Sequence, residues 1–362
     1  MEYLAPIDYA KQACDMMIRK FKAEDLPPVG VFHYHQGVFL SGMYQTFLLC
    51  NEEKYMQYIK AWFDSVLDED GTRKKFLPHT MDDMQPGILL YPLLDYTGDE
   101  KYKKAVDKII AEFEDYPRTA EGGLWHKMPH PHQMWLDGLY MGGPLCAEYG
   151  KRYNKPELLQ LVVEQALLMQ AKTRDEKTGL LYHAYDSLKK ESWANPETGK
   201  SAEFWGRSIG WVPVALLDDL DFMDEKTPGF QDLCDMATNL LKAVCKYQSE
   251  SGLWYQVIDK VGVPGNWAET SCGCLFVAAL CKAVRKGLLS ASYLENAKKG
   301  FYATIDTLTW KTNDIQIGNV CIGTGVGDYQ HYCDRPTSVN DLHGVGAFLL
   351  MCAEMERCLR NG

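Results

Sequence analysis

The chain contains no apolar run approaching the roughly 18 residues that a membrane span needs. Its opening segment, MEYLAPIDYAKQACDMMIRKFKAEDLPP, reads as an amphipathic helix with charges throughout and has no apolar core of a secretory signal. The expectation is a cytoplasmic protein without a membrane partner. A basic excess is also missing. Lys and Arg number 38 against 49 Asp and Glu, a net charge of -11, which excludes the basic stripe of a nucleic-acid binder. An acidic sugar remains admissible, because exposed charges are screened beyond about 8 Å and a local cationic pocket decides. No Pro, Gly or Ser-rich linker and no charge block divides the chain, so residues 1–362 read as one domain with a sizeable core. The 12 cysteines are scattered, and Cys50, Cys146, Cys281 and Cys352 sit in apolar helical stretches. They read as reduced core thiols. Only Cys272 and Cys274 are close together, a weak zinc signal without matching ligands.

What is present is a sixfold repeat. Apolar segments begin at Gly37, Gly87, Gly138, Gly210, Gly273 and Gly344, spaced by 50, 51, 72, 63 and 71 residues. Each is apolar on most faces and long enough to be a buried helix. Between them lie stretches such as EKYKKAVDKIIAEFEDY and PELLQLVVEQALLMQAKT. Their apolar residues recur at three and four, the mark of a helix with one wet face. Each repeat therefore pairs an amphipathic helix with a buried one. The strings GLWHKM, GLLYHAYD and GLWYQVID, starting at Gly123, Gly179 and Gly252, predict a Gly turn and a short extended hairpin between the two. Six helical hairpins with apolar inner helices predict an all-α fold, a closed (α/α)6 barrel. An open solenoid would leave those inner faces exposed.

The residues just before each inner-helix Gly share one end of such a barrel. They include Tyr34, His35, Asp82, Asp83, Trp135, Asp137, Trp205, Arg207, Glu269, Asp341 and His343, with Trp211 one step inside its helix. Each has a structural reading. Asp82 and Asp341 can cap helices, the Trp residues can be core, and His35 and His343 can be satisfied structural histidines. Asp137 stands apart, enclosed by Trp135, Leu136 and Leu139 in HQMWLDGLYM. Desolvation there predicts a raised pKa and a carboxyl protonated near neutrality, as a general acid requires. Asp82 from the neighbouring repeat is expected to approach it and split the pair's titration. Aromatic rings can stack on sugar faces, Arg207 can clamp a carboxylate in two-pronged fashion, and His183 can donate to a sugar hydroxyl.

At HKMPHPHQMWLDGLYMGGP, EFWGRSIGW, GVGAFLL, TGLLYHAYD and SGLWYQV the chain resembles the unsaturated rhamnogalacturonyl hydrolases of glycoside hydrolase family 105, nearly end to end. The unsaturated glucuronyl hydrolases are related. The resemblance implies a catalytic acid/base at Asp137 and a second carboxylate at Asp82. It implies sugar contacts at Trp135, His183, Trp205, Arg207 and Trp211, with Tyr34 an added candidate from the barrel-end ring. The implied substrate is a short pectin-derived oligosaccharide whose terminal galacturonate carries a double bond between carbons 4 and 5. Protonated Asp137 would donate to carbon 4, and water activated by the same residue would attack carbon 5. The hemiketal then opens and releases the aglycone, with no cofactor or metal required. Two other classes stay open on the residues alone. One is an inverting glycosidase or a sugar epimerase, the latter using His183 and His343. The other is a non-catalytic saccharide-binding protein.

Overall fold

The computed structural model describes residues 3–312 and 314–360. Helices alternate along the chain as outer and inner partners. The pairs are α1 (Pro6–Lys20) with α2 (Tyr34–Cys50), α3 (Glu53–Val66) with α4 (Leu90–Thr97), and α5 (Glu100–Ala111) with α6 (Asp137–Arg152). Next come α7 (Pro156–Thr173) with α8 (Gly206–Asp219) and α9 (Phe230–Cys245) with α10 (Thr270–Arg285). Finally α11 (Tyr293–Asp306) pairs with α13 (Leu342–Arg360), and the short α12 (Tyr329–Cys333) lies in the connection between them.

The burial pattern follows the sequence pattern. In α8 every residue except Asp218 is buried. In α5 the buried positions are Lys101, Tyr102, Ala105, Val106 and Ile109, one stripe at helical spacing. Inner helices α6, α8, α10, α13 and α2 pack in succession around the ring, α13 closing it against α2, and the second repeat meets α2 and α6 through the 3-10 turn Gln85–Leu89 that leads into α4. Small residues permit that closure. A Cβ on Gly346 would stand 2.4 Å from the Val38 carbonyl oxygen, and one on Gly42 would stand 2.6 Å from Leu349. The fold is the expected (α/α)6 barrel.

Three details differ from expectation. The inner helices begin up to four residues before the repeat glycines, and the second opens as a 3-10 turn over Gln85–Leu89 before α4. Pro86 suits that first turn, since it has no N–H to offer. The Gly-led strings fold back locally, with antiparallel bridges from Arg118 to Leu124, Arg174 to Leu181 and Tyr255 to Ala268, and they also pair across repeats. Strand Gln133–Trp135 runs antiparallel to Ala184–Asp186, and single bridges join Thr80 to Lys127 and Trp205 to Val257. Among the described residues six strands of two or three residues form three antiparallel pairs, the other two lying within the connection between α11 and α13. All 12 cysteines are free. Cys272 and Cys274 are fully buried in α10, where the Cys272 thiol donates to the Glu269 carbonyl at 3.2 Å. Among the described residues, no helix is long and apolar enough to cross a membrane.

Candidate active site

The loops at the N-terminal end of the inner helices gather the predicted polar residues. Asp137 is the first residue of α6. The strand before it, Gln133–Trp135, pairs with Ala184–Asp186 so that Trp135 faces Ala184. Leu136 N–H donates to the His183 carbonyl at 3.0 Å. That register brings the His183 ring to Asp137, Nε2 to Oδ2 at 3.3 Å. The contact is off the line of a good hydrogen bond, and neither atom has another partner among the described residues. Both side chains are buried.

His183 is held from its other side by a residue that sequence reasoning missed. The Tyr332 hydroxyl lies 2.7 Å from His183 Nδ1 and accepts from the Gly327 N–H at 3.3 Å. Burial pushes the Tyr332 phenol pKa far up, so it keeps its proton and donates to Nδ1. Burial also lowers the His183 pKa, against the raising influence of Asp137. The ring near neutral pH is therefore uncharged, with its hydrogen on Nε2, aimed at Asp137.

A second carboxylate is built by the same strand-pairing logic. Asp82 lies in a 3-10 turn, Met81–Asp83, whose Met81 N–H donates to the His126 carbonyl at 3.0 Å. The Thr80 to Lys127 bridge continues that pairing. His126 Nε2 is thus 3.4 Å from Asp82 Oδ1, and Lys127 Nζ is 3.0 Å from Oδ2. Asp83 points elsewhere. It binds His33 Nδ1 at 2.5 Å and accepts from the Leu77 N–H at 2.6 Å, a bracing role for the loop.

The two carboxylates differ electrostatically. Burial pushes both pKa values up. For Asp82 that effect is outweighed by His126, Lys127 and His33, which hold it far below the usual carboxylate range. For Asp137 it is opposed first by the close approach of His183, then by His126 and Arg207, and the net direction is also down. This corrects the expectation of a raised Asp137 pKa. The expected direct coupling to Asp82 is not among the leading influences, because cationic side chains stand around both acids.

The aromatic residues are brought to this end but sunk into its walls. Trp135 is 4% exposed, stacks on His126 at 4.5 Å and donates to Gln133 at 2.9 Å. Trp205 is 1% exposed, with the His183 ring at 4.5 Å and the Arg207 guanidinium 4.5 Å from its centre. Trp211 lies a turn deeper, stacked on Tyr140 at 4.5 Å within the hydrophobic core, away from the acids. Arg207 donates to the Cys321 and Ile322 carbonyls at 2.7 and 2.9 Å. Two of its five donors are therefore committed to the backbone rather than free to clamp a ligand. Tyr34 opens α2, and its hydroxyl is influenced by Arg207, Asp82, Asp137 and Asp341 together, which locates it among them. A cavity of about 430 Å³ lies deeper along the barrel, lined by Ser41, Tyr140, Glu148 and Lys282, and contains neither acid.

Sequence reasoning missed His126, Lys127 and Tyr332. The first two lie in GLWHKM, a string marked only for its turn. Tyr332 sits in a connection that no repeat echoes.

Comparison with known proteins identifies the family. The sequence model of Glycosyl Hydrolase Family 88 matches residues 9–359. The structure superposes on a C. acetobutylicum glycoside hydrolase from family 105 with a TM-score of 0.92 and 33% identity, covering 96% of this chain and 99% of that one. An unsaturated rhamnogalacturonyl hydrolase of Bacillus subtilis, YesR, is 26% identical over 300 residues, 80% of this chain and 79% of its own. An unsaturated glucuronyl hydrolase from a Bacillus species shares the fold at a TM-score of 0.73 and 15% identity, with 97% and 96% covered. The chain therefore belongs to the glycoside hydrolases of families 88 and 105.

Proposed function

We propose that this hydrolase removes a 4,5-unsaturated galacturonate from the non-reducing end of short rhamnogalacturonan-derived oligosaccharides. Asp137 is both acid and base, and residues 1–362 act as one catalytic domain. The observation that carries the reading is the pairing of Asp137 with His183. Asp137 Oδ2 and His183 Nε2 are buried, unmatched polar atoms facing each other across 3.3 Å. Buried polar atoms without partners are rare, and a substrate hydroxyl presented beside them would engage both.

The two acids divide the work through their surroundings, since environments that push two carboxyls apart assign their roles. Asp82, locked ionised by His126 and Lys127, accepts substrate hydroxyls. Asp137 is faced by the uncharged His183 ring and has no lysine ion pair among the described residues. A uronate carboxylate bound beside it adds negative charge and shifts its pKa upward. The proton it then holds goes to carbon 4, and positive charge develops at carbon 5, next to the ring oxygen. Asp137, now ionised, takes a proton from the water that attacks carbon 5. The resulting hemiketal opens, and the aglycone leaves with its oxygen. His183, fixed in one tautomer by Tyr332, steadies the carboxylate in both states. The similarity to YesR, an unsaturated rhamnogalacturonyl hydrolase, supports a rhamnose aglycone.

Incubation with a panel of lyase-generated unsaturated disaccharides tests this, followed by loss of the double-bond ultraviolet absorbance. The galacturonosyl-rhamnose member should react fastest. Equal or faster turnover of glucuronosyl-hexosamine members would move the substrate class elsewhere. An inverting glycosidase is the second reading, favoured by the permanently ionised Asp82, which suits a base for water. Saturated disaccharides would then be cleaved as well.

A further inference from the structure

Beside the acids, at the closure of the barrel, three metal-ligating side chains converge. One ring nitrogen each from His35 and His343 and one oxygen of Asp341 lie within 4.8 Å of one another. His35 comes from the first turn of α2 and His343 from the first turn of α13, with Asp341 just before it. The packing of α13 on α2 that closes the ring is what brings them together.

The hydrogen bonding around His343 leaves one nitrogen to explain. The side chain is fully buried, and Nε2 lies 3.0 Å from the Cys321 carbonyl oxygen, to which it must donate. Nδ1 is the nitrogen left over. It faces Asp341 Oδ1 at 2.7 Å, off the line of a hydrogen bond, and has no partner among the described residues. His35 Nδ1 is likewise buried and unmatched. Two buried, unmatched ring nitrogens beside a carboxylate oxygen suit a cation that all three side chains reach.

We propose that His35, Asp341 and His343 form a binding site for one divalent transition-metal ion. Two imidazoles and one carboxylate suit zinc or iron(II), and such triads characteristically leave further coordination positions open. The thiol-rich alternatives are spent, since Cys272 and Cys274 are buried within α10. The site adjoins the chamber. Tyr34 stacks on His35 at 4.2 Å and lies 6.1 Å from His343, and the Cys321 carbonyl that fixes His343 also receives Arg207. An ion here places fixed positive charge at the wall that meets an anionic oligosaccharide, in addition to the metal-free chemistry of Asp137. The proposal concerns the ion alone and stands or falls apart from the proposed reaction.

The test is calorimetric titration of the chelator-treated full chain with zinc chloride, under a non-thiol reductant and without saccharide. One ion per chain should bind. His35→Ala and Asp341→Asn should each weaken that binding by at least about tenfold, while Asp137→Asn should bind as the unaltered chain does. Melting curves would confirm that the variants are folded, and neither His35 nor Asp341 is fully buried, so both substitutions are tolerable. The absence of a one-per-chain site would overturn the proposal. So would undiminished affinity in both variants.

Discussion

Replacing Asp137 by Asn removes a proton and little else. The side chain keeps its shape at the start of α6, and its amide oxygen can still accept from His183 Nε2, now 3.3 Å from Oδ2. What is lost is the donation to carbon 4 and the later acceptance from water. A positioned general acid or base contributes about 10²–10⁴-fold. Asp137 is asked to serve in both directions, so turnover should fall by about 10⁴-fold or more, equivalent to about 5.4 kcal/mol. Both roles exist only in the transition state. Turnover and kcat/KM should therefore fall together, with the Michaelis constant little changed. The assay is loss of ultraviolet absorbance from unsaturated galacturonosyl-rhamnose, with thermal melting as a check on folding. A folded variant with turnover within tenfold of the unaltered enzyme would refute the assignment.

Asp82→Asn should also lower turnover strongly and should change the response to acid. The native Asp82 pKa is far below its unfolded value, so its contribution to stability is full above about pH 4 and is lost as pH falls below that. Urea midpoints at pH 7 and about pH 3 should therefore converge for the variant and its parent, and a parallel decline would contradict the ion cluster. Tyr332→Phe strips the donor from a buried His183 nitrogen, at a cost of about 1–3 kcal/mol in stability, and should lower turnover and alter its pH profile. A variant with an unchanged pH profile would deny that Tyr332 sets the tautomer. Gly346→Ala drives a Cβ to 2.4 Å from the Val38 carbonyl oxygen. It should destabilise the fold by about 1–3 kcal/mol, visible as a lowered melting temperature, whereas an unchanged melt would argue against tight closure of α13 on α2.

The barrel was legible because its two helix types carry different burial patterns. The nearly continuous apolar run of α8 and the single stripe of α5 state inner and outer directly. Asp137 and Asp82 were legible because a carboxyl at the head of an apolar helix repeat is conspicuous. Their electrostatics were not. The side chains that hold them, His126, Lys127 and His183, arrive by strand pairing between repeats, and no local pattern announces that register. Arg207, expected as a clamp, also gives two of its five donors to a loop more than 100 residues away, which no local pattern announced. Replacing it by Ala should therefore unsettle residues 321–322 as well as ligand binding. Trp211, a sugar contact by resemblance, is stacked on Tyr140 and buried in this structure, a packing that its place inside an apolar helix already allowed.

The measurement closest to the central claim follows two atoms of the product. In deuterium oxide, hydration of the double bond should place one deuterium on carbon 4, delivered by Asp137 after exchange with solvent. In heavy-oxygen water, a brief reaction should place the label on carbon 5 of the released uronate. Saturated galacturonosyl-rhamnose, which has no double bond to protonate, should be inert. Cleavage of that saturated disaccharide at a comparable rate, with the water oxygen on the anomeric carbon and no deuterium at carbon 4, would contradict the hydration mechanism.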